Sequence, residues 1–445
     1  MTTPIIDFVK KYAFNSPLRA HMPGHKGKSF IGVENIDITE IDGADDLYHA
    51  SGIIAESEKN ASALFNAHTF YSTEGSTLSI KSMLYLAVKY AKEKGVKPVV
   101  AAGRNAHKAF LDAAALIGFD VKWIATKNSS YLSCNVTAET ISNLFFNCDE
   151  KPFAVYLTTP DYLGNTIDVK AVSAICKAHG ALLLVDNAHG AYTKFLTPSS
   201  HPIDLGADMC CDSAHKTLPV VTGGAYLHVC KDANPYFYKN AKYAMSLFGS
   251  TSPSYVILQS LDAVNAYLSD NYDKKLFDTV LRVAELKKKL SEFGYSIIGD
   301  EGLKITFDIK KFGYTGCEFN QVLKDNGIYS EFYDPDYLVL MLSPETEHDD
   351  ILKLERILIN LPKRTAIKGF NKKLTLPMVA LSVRDAVFAP SETIDVHNAK
   401  DRIVSGETVA CPPAVPIIVS GEIIDDNTIE LFDYYGIKTC SVIKE

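Results

Sequence analysis

A chain of 445 residues, 47% hydrophobic and 22% charged, has material for two or three domains around a large core, with the composition of an ordinary globular protein. Its formal charge of −8 argues against nucleic acid or an anionic membrane as partner, and no apolar run approaches the roughly 20 residues that span a bilayer. Nine cysteines, an odd number without any C-x-x-C pair, point to neither a disulfide framework nor a zinc site. With no basic-then-apolar leader after Met1, the expectation is a cytoplasmic chain without a metal.

Residues 1–50 read as irregular, centred on Arg19-Ala-His-Met-Pro-Gly-His-Lys-Gly27, where Pro23, Gly24 and Gly27 impose turns. Asp37, Glu40, Asp42, Asp45 and Asp46 follow, either as a solvated acidic loop or as a wall facing a cation. A helix is expected over 53–67 and a short strand over 68–71. Ser72-Thr-Glu-Gly-Ser-Thr-Leu-Ser79 then opens a second helix. Glycine and hydroxyls at a helix N-terminus make a phosphate cup, because free N–H groups and the helix dipole both favour an anion; a plain Ser/Thr cap explains the pattern equally well.

Strand and helix alternate from there: strands at 98–102, 121–125, 154–159 and 181–188, helices at 106–117, 137–147 and 168–179. That rhythm predicts a mainly parallel sheet with helices on both faces and ligands at the strands' C-terminal ends. Leu182-Leu-Leu-Val-Asp186 is such a strand, delivering a buried carboxylate to its end. The stretch Ala207–Asp212 is another, followed by Ser213, His215, Lys216 and Thr217. A lysine beside a histidine and hydroxyls suits an amine that must lose its proton and condense with an aldehyde, as a lysine holding pyridoxal phosphate does. A solvated Lys-Thr turn fits those few residues as well, and a strand-end Asp can merely cap a loop, but as a pair they suit a lysine aldimine with Asp186 as a carboxylate that can keep the pyridine nitrogen protonated.

Residues 221–229 read as the last strand of this sheet, and 253–294 as helical. After Gly302, strands at 303–309, 329–333 and 337–342 and helices near 315–326 and 348–360 predict a second α+β domain. The domain expectation is an N-terminal arm (1–50), a large domain (51–255), interdomain helices (256–300) and a C-terminal α+β region (301–445) with a linker near 361–377.

Asp186-Asn-Ala-His-Gly190 with Ser213-Ala-His-Lys-Thr-Leu218 resembles the ornithine/lysine/arginine decarboxylases of pyridoxal-phosphate fold type I, in their short bacterial form. His21-Met-Pro-Gly-His-Lys-Gly27, Arg104-Asn-Ala-His-Lys108 and Thr158-Thr-Pro-Asp-Tyr-Leu-Gly164 carry the same resemblance, which is strongest over 19–230. Departures are Glu74 and Ser79 for the usual Asn and Gly, Asp161 for Thr, and Cys411 and Ala414 for Tyr and Gly near the C-terminus.

The resemblance implies an aspartate-aminotransferase-like large domain and decarboxylation of arginine, lysine or ornithine to a polyamine-pathway amine by a homodimer or larger homo-oligomer. It implies pyridoxal phosphate on Lys216, with Asp186 on the pyridine nitrogen, His107 stacked on the ring, and Ala188 as a further contact. Gly75, Ser76, Thr77 and Ser213 would take the phosphate, and His215 or Lys216 would return a proton to Cα. Arg384 and His25 are candidate substrate contacts. Transamination or β-elimination by the same fold, and a non-catalytic paralogue that regulates an active enzyme, are the competing readings.

Overall fold

The computed structural model describes residues 1–445 except 125, 127–129, 131, 370–374, 407, 408 and 412–414, and omits the side chains of 409–411. In chain order it contains α1 (Pro4–Phe14), α2 (Ile53–Phe65), β1 (Ala67–Ser72), α3 (Gly75–Glu93), β2 (Val99–Gly103), α4 (Lys108–Ala113), β3 (Asp120–Ile124), α5 (Ala138–Asn147), β4 (Ala154–Thr158) and α6 (Val169–Ala178). Then come β5 (Leu182–Asp186), β6 (Met209–Asp212), the single turn α7 (Ala214–Thr217), β7 (Ala225–Cys230), α8 (Pro235–Ser246), α9 (Tyr255–Leu268) and α10 (Tyr272–Phe293). The remainder is β8 (Ile297–Ile298), β9 (Lys304–Asp308), α11 (Gly316–Asp325), β10 (Phe332–Tyr333), β11 (Tyr337–Met341), α12 (His348–Ile359), α13 (Val383–Phe388), β12 (Ser391–Asp395), β13 (Val409–Cys411), β14 (Val415–Ile418), α14 (Asp426–Tyr435) and β15 (Thr439–Ile443).

A seven-stranded sheet has the order β1-β7-β6-β5-β4-β2-β3. The pairs β2–β3, β2–β4 and β5–β6 are parallel, as the strand–helix alternation requires, whereas β7 runs antiparallel to both β6 and β1. The expected strand at 221–229 begins only at Ala225, because Gly223 (φ +101°) and Gly224 form the turn before it. Ala125, the last residue of the expected strand at 121–125, lies outside the described residues.

Two compact units divide the chain: Met1–Lys97 with Val169–Lys275, and Pro98–Asp168 with Leu276–Glu445. In the first, the N-terminal segment corrects the sequence expectation: residues 4–14 are a helix. Pro4 stands at a first-turn position that needs no N–H, and Ile5 and Val9, one helical turn apart, are fully buried. Asp262 of α9 accepts from the backbone N–H groups of Ile5 and Ile6 (both 3.0 Å), so the helix is capped from outside its own sequence.

In the second unit the expected helix at 106–117 is α4 followed by a π-helical turn, Ala114–Gly118. The sheet β10-β11-β9-β8 carries α10, α11 and α12 around a core of Phe307, Phe319, Leu323, Leu338 and Leu354. A second core gathers Val404, Ile417, Ile418, Phe432 and Val442 from the tail. In the linker region, 361–369 and 375–377 have no regular structure and 370–374 lie outside the described residues, as does Ala414 of the tail motif.

Candidate active site

In the first unit, β5 is an unbroken apolar run that ends at Asp186, 2% exposed. Parallel β6 sets Cys211 opposite Asp186. The Asp186 carboxylate accepts from the backbone N–H of Ala188 (3.1 Å) and from the Cys211 thiol (3.6 Å). Burial, with Asp186 and Asp212 nearby, pushes that thiol far above its usual range, so Cys211 donates and is not a nucleophile. The short exit from β6 leads straight into α7, which carries His215 and Lys216.

The Lys216 ammonium donates to Nε2 of His189 at 3.0 Å. His189 stands three residues after Asp186, so one loop supplies both a buried carboxylate and the imidazole that meets the lysine. His215 is held by a double link to Gly224: its backbone N–H (3.1 Å) and its ring Nδ1 (2.9 Å) both donate to that carbonyl.

The N-terminus of α3 stands beside these groups, because Ser213 Oγ donates to Ser76 Oγ at 2.9 Å. Gly75 opens the helix at φ +67°, its N–H bonded to Gly223 O (2.8 Å), with no atom within 4 Å of where a Cβ would stand. Ser76 and Thr77 are half-buried on the first turn, where backbone N–H groups have no partner inside the helix. A lysine, a buried carboxylate, two converging hydroxyls and an open helix N-terminus fit the amine-reactive aldehyde, ring nitrogen and phosphate of pyridoxal phosphate.

The N-terminal motif is folded on itself. His25 contacts Asp37 through Nε2 (3.2 Å) and accepts from Gly27 N–H at Nδ1 (3.0 Å); Arg19 donates to the carbonyls of Glu34 (3.1 Å) and Asn35 (2.7 Å). The acidic stretch is partly spent on the backbone: Asp45 accepts from Ser51, Gly52 and Ile54, and Asp46 from Tyr48 and His49. Those two carboxylates cap turns, which favours the loop reading over a wall facing a cation.

In the second unit His107 is the N-cap of α4, its Nδ1 accepting from Ala109 N–H (3.1 Å). Arg104, 1% exposed, donates to the carbonyls of Pro416 and Ile417 and pairs with Glu422 at 3.0 Å. Arg384 donates to the carbonyls of Ala115 (2.8 Å) and Leu116 (3.0 Å), which satisfies the end of the π-helical turn. Asp161, where the resemblance has threonine, is buried and accepts from both the backbone and side-chain amides of Asn165. Among the described residues no helix is long and apolar enough to cross a membrane.

Two groups near the site escaped the sequence reading. His189 lies inside the quoted Asp-Asn-Ala-His-Gly motif, and its place three residues after Asp186 was the available signal. The other is a buried cluster around Asp212, whose members come from four separate segments.

The family model described as Orn/Lys/Arg decarboxylase, major domain, matches residues 3–297. An arginine decarboxylase from Halalkalibacterium halodurans is 28% identical, with 96% of this chain and 92% of that one aligned. Among solved structures, lysine decarboxylase A from Pseudomonas aeruginosa superposes with a TM-score of 0.80 at 17% identity, covering 99% of this chain and 80% of that one. The constitutive lysine decarboxylase of E. coli gives 0.77 at 17%, covering 100% and 82%.

Proposed function

The chain belongs to the Orn/Lys/Arg decarboxylase family, and from that premise we propose that it removes the carboxylate of a basic amino acid with pyridoxal phosphate held on Lys216. The observation that carries the reading is the meeting of Lys216 with His189, three residues beyond buried Asp186, at the exits of two parallel strands. When bound, pyridoxal phosphate supplies a protonated pyridine ring into which the Cα–carboxylate bonding pair can flow.

Every other task falls to the protein. Asp186 holds the proton on the ring nitrogen, itself oriented by the Ala188 N–H and the Cys211 thiol. Ser76, Thr77, Ser213 and the Gly75 turn bind the phosphate. His189 aligns the Lys216 amine and accepts the proton that the amine must lose to react. After carbon dioxide leaves, Lys216 or His215 returns a proton to Cα. His107 keeps the ring-face role and His25 the substrate role that the resemblance gives them. Arg384, spent on two helix carbonyls, is left out of the proposal.

Arginine, the substrate in the relative's name, is the first candidate, with lysine and ornithine beside it. A cytoplasmic homodimer completes the reading. The test is direct: incubate the full-length protein and pyridoxal phosphate with each amino acid, and measure carbon dioxide and agmatine, cadaverine or putrescine. Stoichiometric amine and carbon dioxide from one of the three is expected. Keto-acid formation without carbon dioxide would overturn it in favour of transamination, and no turnover of any of them would favour a regulatory paralogue.

A further inference from the structure

Asp212 ends β6 on the sheet face opposite Cys211, fully buried. Its Oδ2 accepts from Nε2 of His201 (3.0 Å) and Nε2 of His228 (3.1 Å), and its Oδ1 from the side-chain amide of Asn187 (2.7 Å). His201 accepts from Ile203 N–H at Nδ1 and His228 meets the Thr69 hydroxyl at Nδ1 (2.9 Å), so in both rings Nε2 carries the proton given to Asp212. Burial alone would raise the carboxyl's pKa, but the two imidazoles outweigh it and hold Asp212 ionised. An ionised carboxylate inside a core is costly unless its lone pairs are met, and here three donors meet them.

The donor that matters for the site is Asn187. It follows Asp186, so it points to the other face of the strand end, where Asp212 lies. Its backbone N–H donates to Cys211 O (3.0 Å), and its Oδ1 has no hydrogen-bond partner among the described residues. The bond to Asp212 therefore fixes the amide. Pinning Asn187 fixes the peptide that runs on to Ala188, whose N–H is the donor that orients Asp186.

We propose that Asp212, acting through Asn187, is a positioning residue that sets the angle of the Asp186 carboxylate from the far side of the sheet. The inference rests on the proposed cofactor role of Asp186. Asp212 touches neither substrate nor cofactor in this account. Cys210 Sγ lies 4.0 Å from His201 Nε2, so His201, Cys210 and Asp212 also form a potential metal-binding trio, and the test must separate the two uses of the carboxylate.

The experiment compares full-length wild type, Asn187→Ala, Asp212→Asn and the double variant, each loaded with pyridoxal phosphate. Borohydride trapping on Lys216, the visible cofactor spectrum, kcat, KM and Tm are read for each. Trapping on Lys216 should persist in Asn187→Ala, with KM within about twofold. Its kcat should fall roughly tenfold, the scale of a slightly misaimed catalytic group, with a shifted visible band. The double variant should lose no more than Asp212→Asn alone, because both act through one bond. A lower Tm with unchanged kcat and spectrum would reduce the link to a structural one and overturn the proposal. If Asn187→Ala does not fold, Asp212→Asn decides by the same kcat and spectral readouts. One zinc per chain in the purified wild type, lost on Cys210→Ala, would also overturn it by giving Asp212 a ligand's job. A wild type without any Lys216 adduct would bring down the functional reading itself, whereas a normal wild type with unchanged variants removes this inference alone.

Discussion

Lys216 and Asp186 carry opposite kinds of risk when altered. Lys216→Ala removes the one group proposed to form a covalent bond to the cofactor, so no borohydride-reducible adduct should form; mass spectrometry of the reduced protein checks this. Asp186→Asn keeps the shape and a hydrogen bond but cannot hold a proton on the ring nitrogen. Cofactor should stay bound while turnover drops about a hundredfold or more, a few kcal/mol of transition-state stabilisation. Near-normal decarboxylation by that variant would end the assigned role. The positions of both were legible because Asp186 closes the apolar run of β5 and Lys216 follows the exit of β6 by four residues, each within a compact motif. The pairing of His189 with Lys216 was not, since it depends on how two turns fold toward each other. Asp212 read only as a strand end: its partners sit at 187, 201 and 228, and no local pattern joins them.

At the scale of elements, the alternation of apolar runs and amphipathic stretches revealed most of the parallel strands and helices to within a few residues. The antiparallel pairing of β7 with β1 was not readable, because a strand's own residues do not announce its neighbour's direction. Helix α1 was missed because only Ile5 and Val9 mark its buried face and its cap lies on α9, more than 250 residues away. That cap makes a prediction. Asp262 is fully buried, and burial outweighs the bonds from Ser57, Ile6 and Ile5, pushing its carboxyl up from 3.8 to about 6. A raised folded-state value means the protonated form is favoured on folding. The associated stability is therefore full below about pH 4 and is lost as pH rises through about 6. Asp262→Asn cannot ionise, so its Tm should decline less between those pH values than that of wild type. Parallel Tm–pH curves for the two would show that Asp262 does not titrate as described.

For the whole molecule, the first unit carries apolar side chains in water around the N-terminal motif: Phe14, Leu18, Phe30 and Ile31 are 88, 94, 77 and 83% exposed. In the proposed homodimer a second copy of the chain would cover them, as a symmetric dimer does. Burying a large apolar side chain is worth about 1.5–3 kcal/mol, so Phe30→Ser with Ile31→Ser should weaken dimerisation by about a hundredfold or more. Sedimentation equilibrium of wild type and the double variant measures it, and a wild type that is monomeric and fully active contradicts it. A chain lacking residues 1–30 should lose activity together with assembly, read by decarboxylation and sedimentation in parallel, since that deletion also removes the buried Ile5 and Val9.

The division of the chain also bears on how it is made. Neither unit is a continuous stretch: the path leaves the first at Lys97, returns at Val169, and leaves again after Lys275. During synthesis the ribosome releases the first half of the Lys216-bearing unit long before its second half exists, and the intervening 98–168 belong to a unit that needs 276–445. A nascent chain of this protein must therefore carry unfinished, apolar surface for much of its elongation. Its dependence on chaperones should be greatest in that interval and fall once residues 276–445 have emerged.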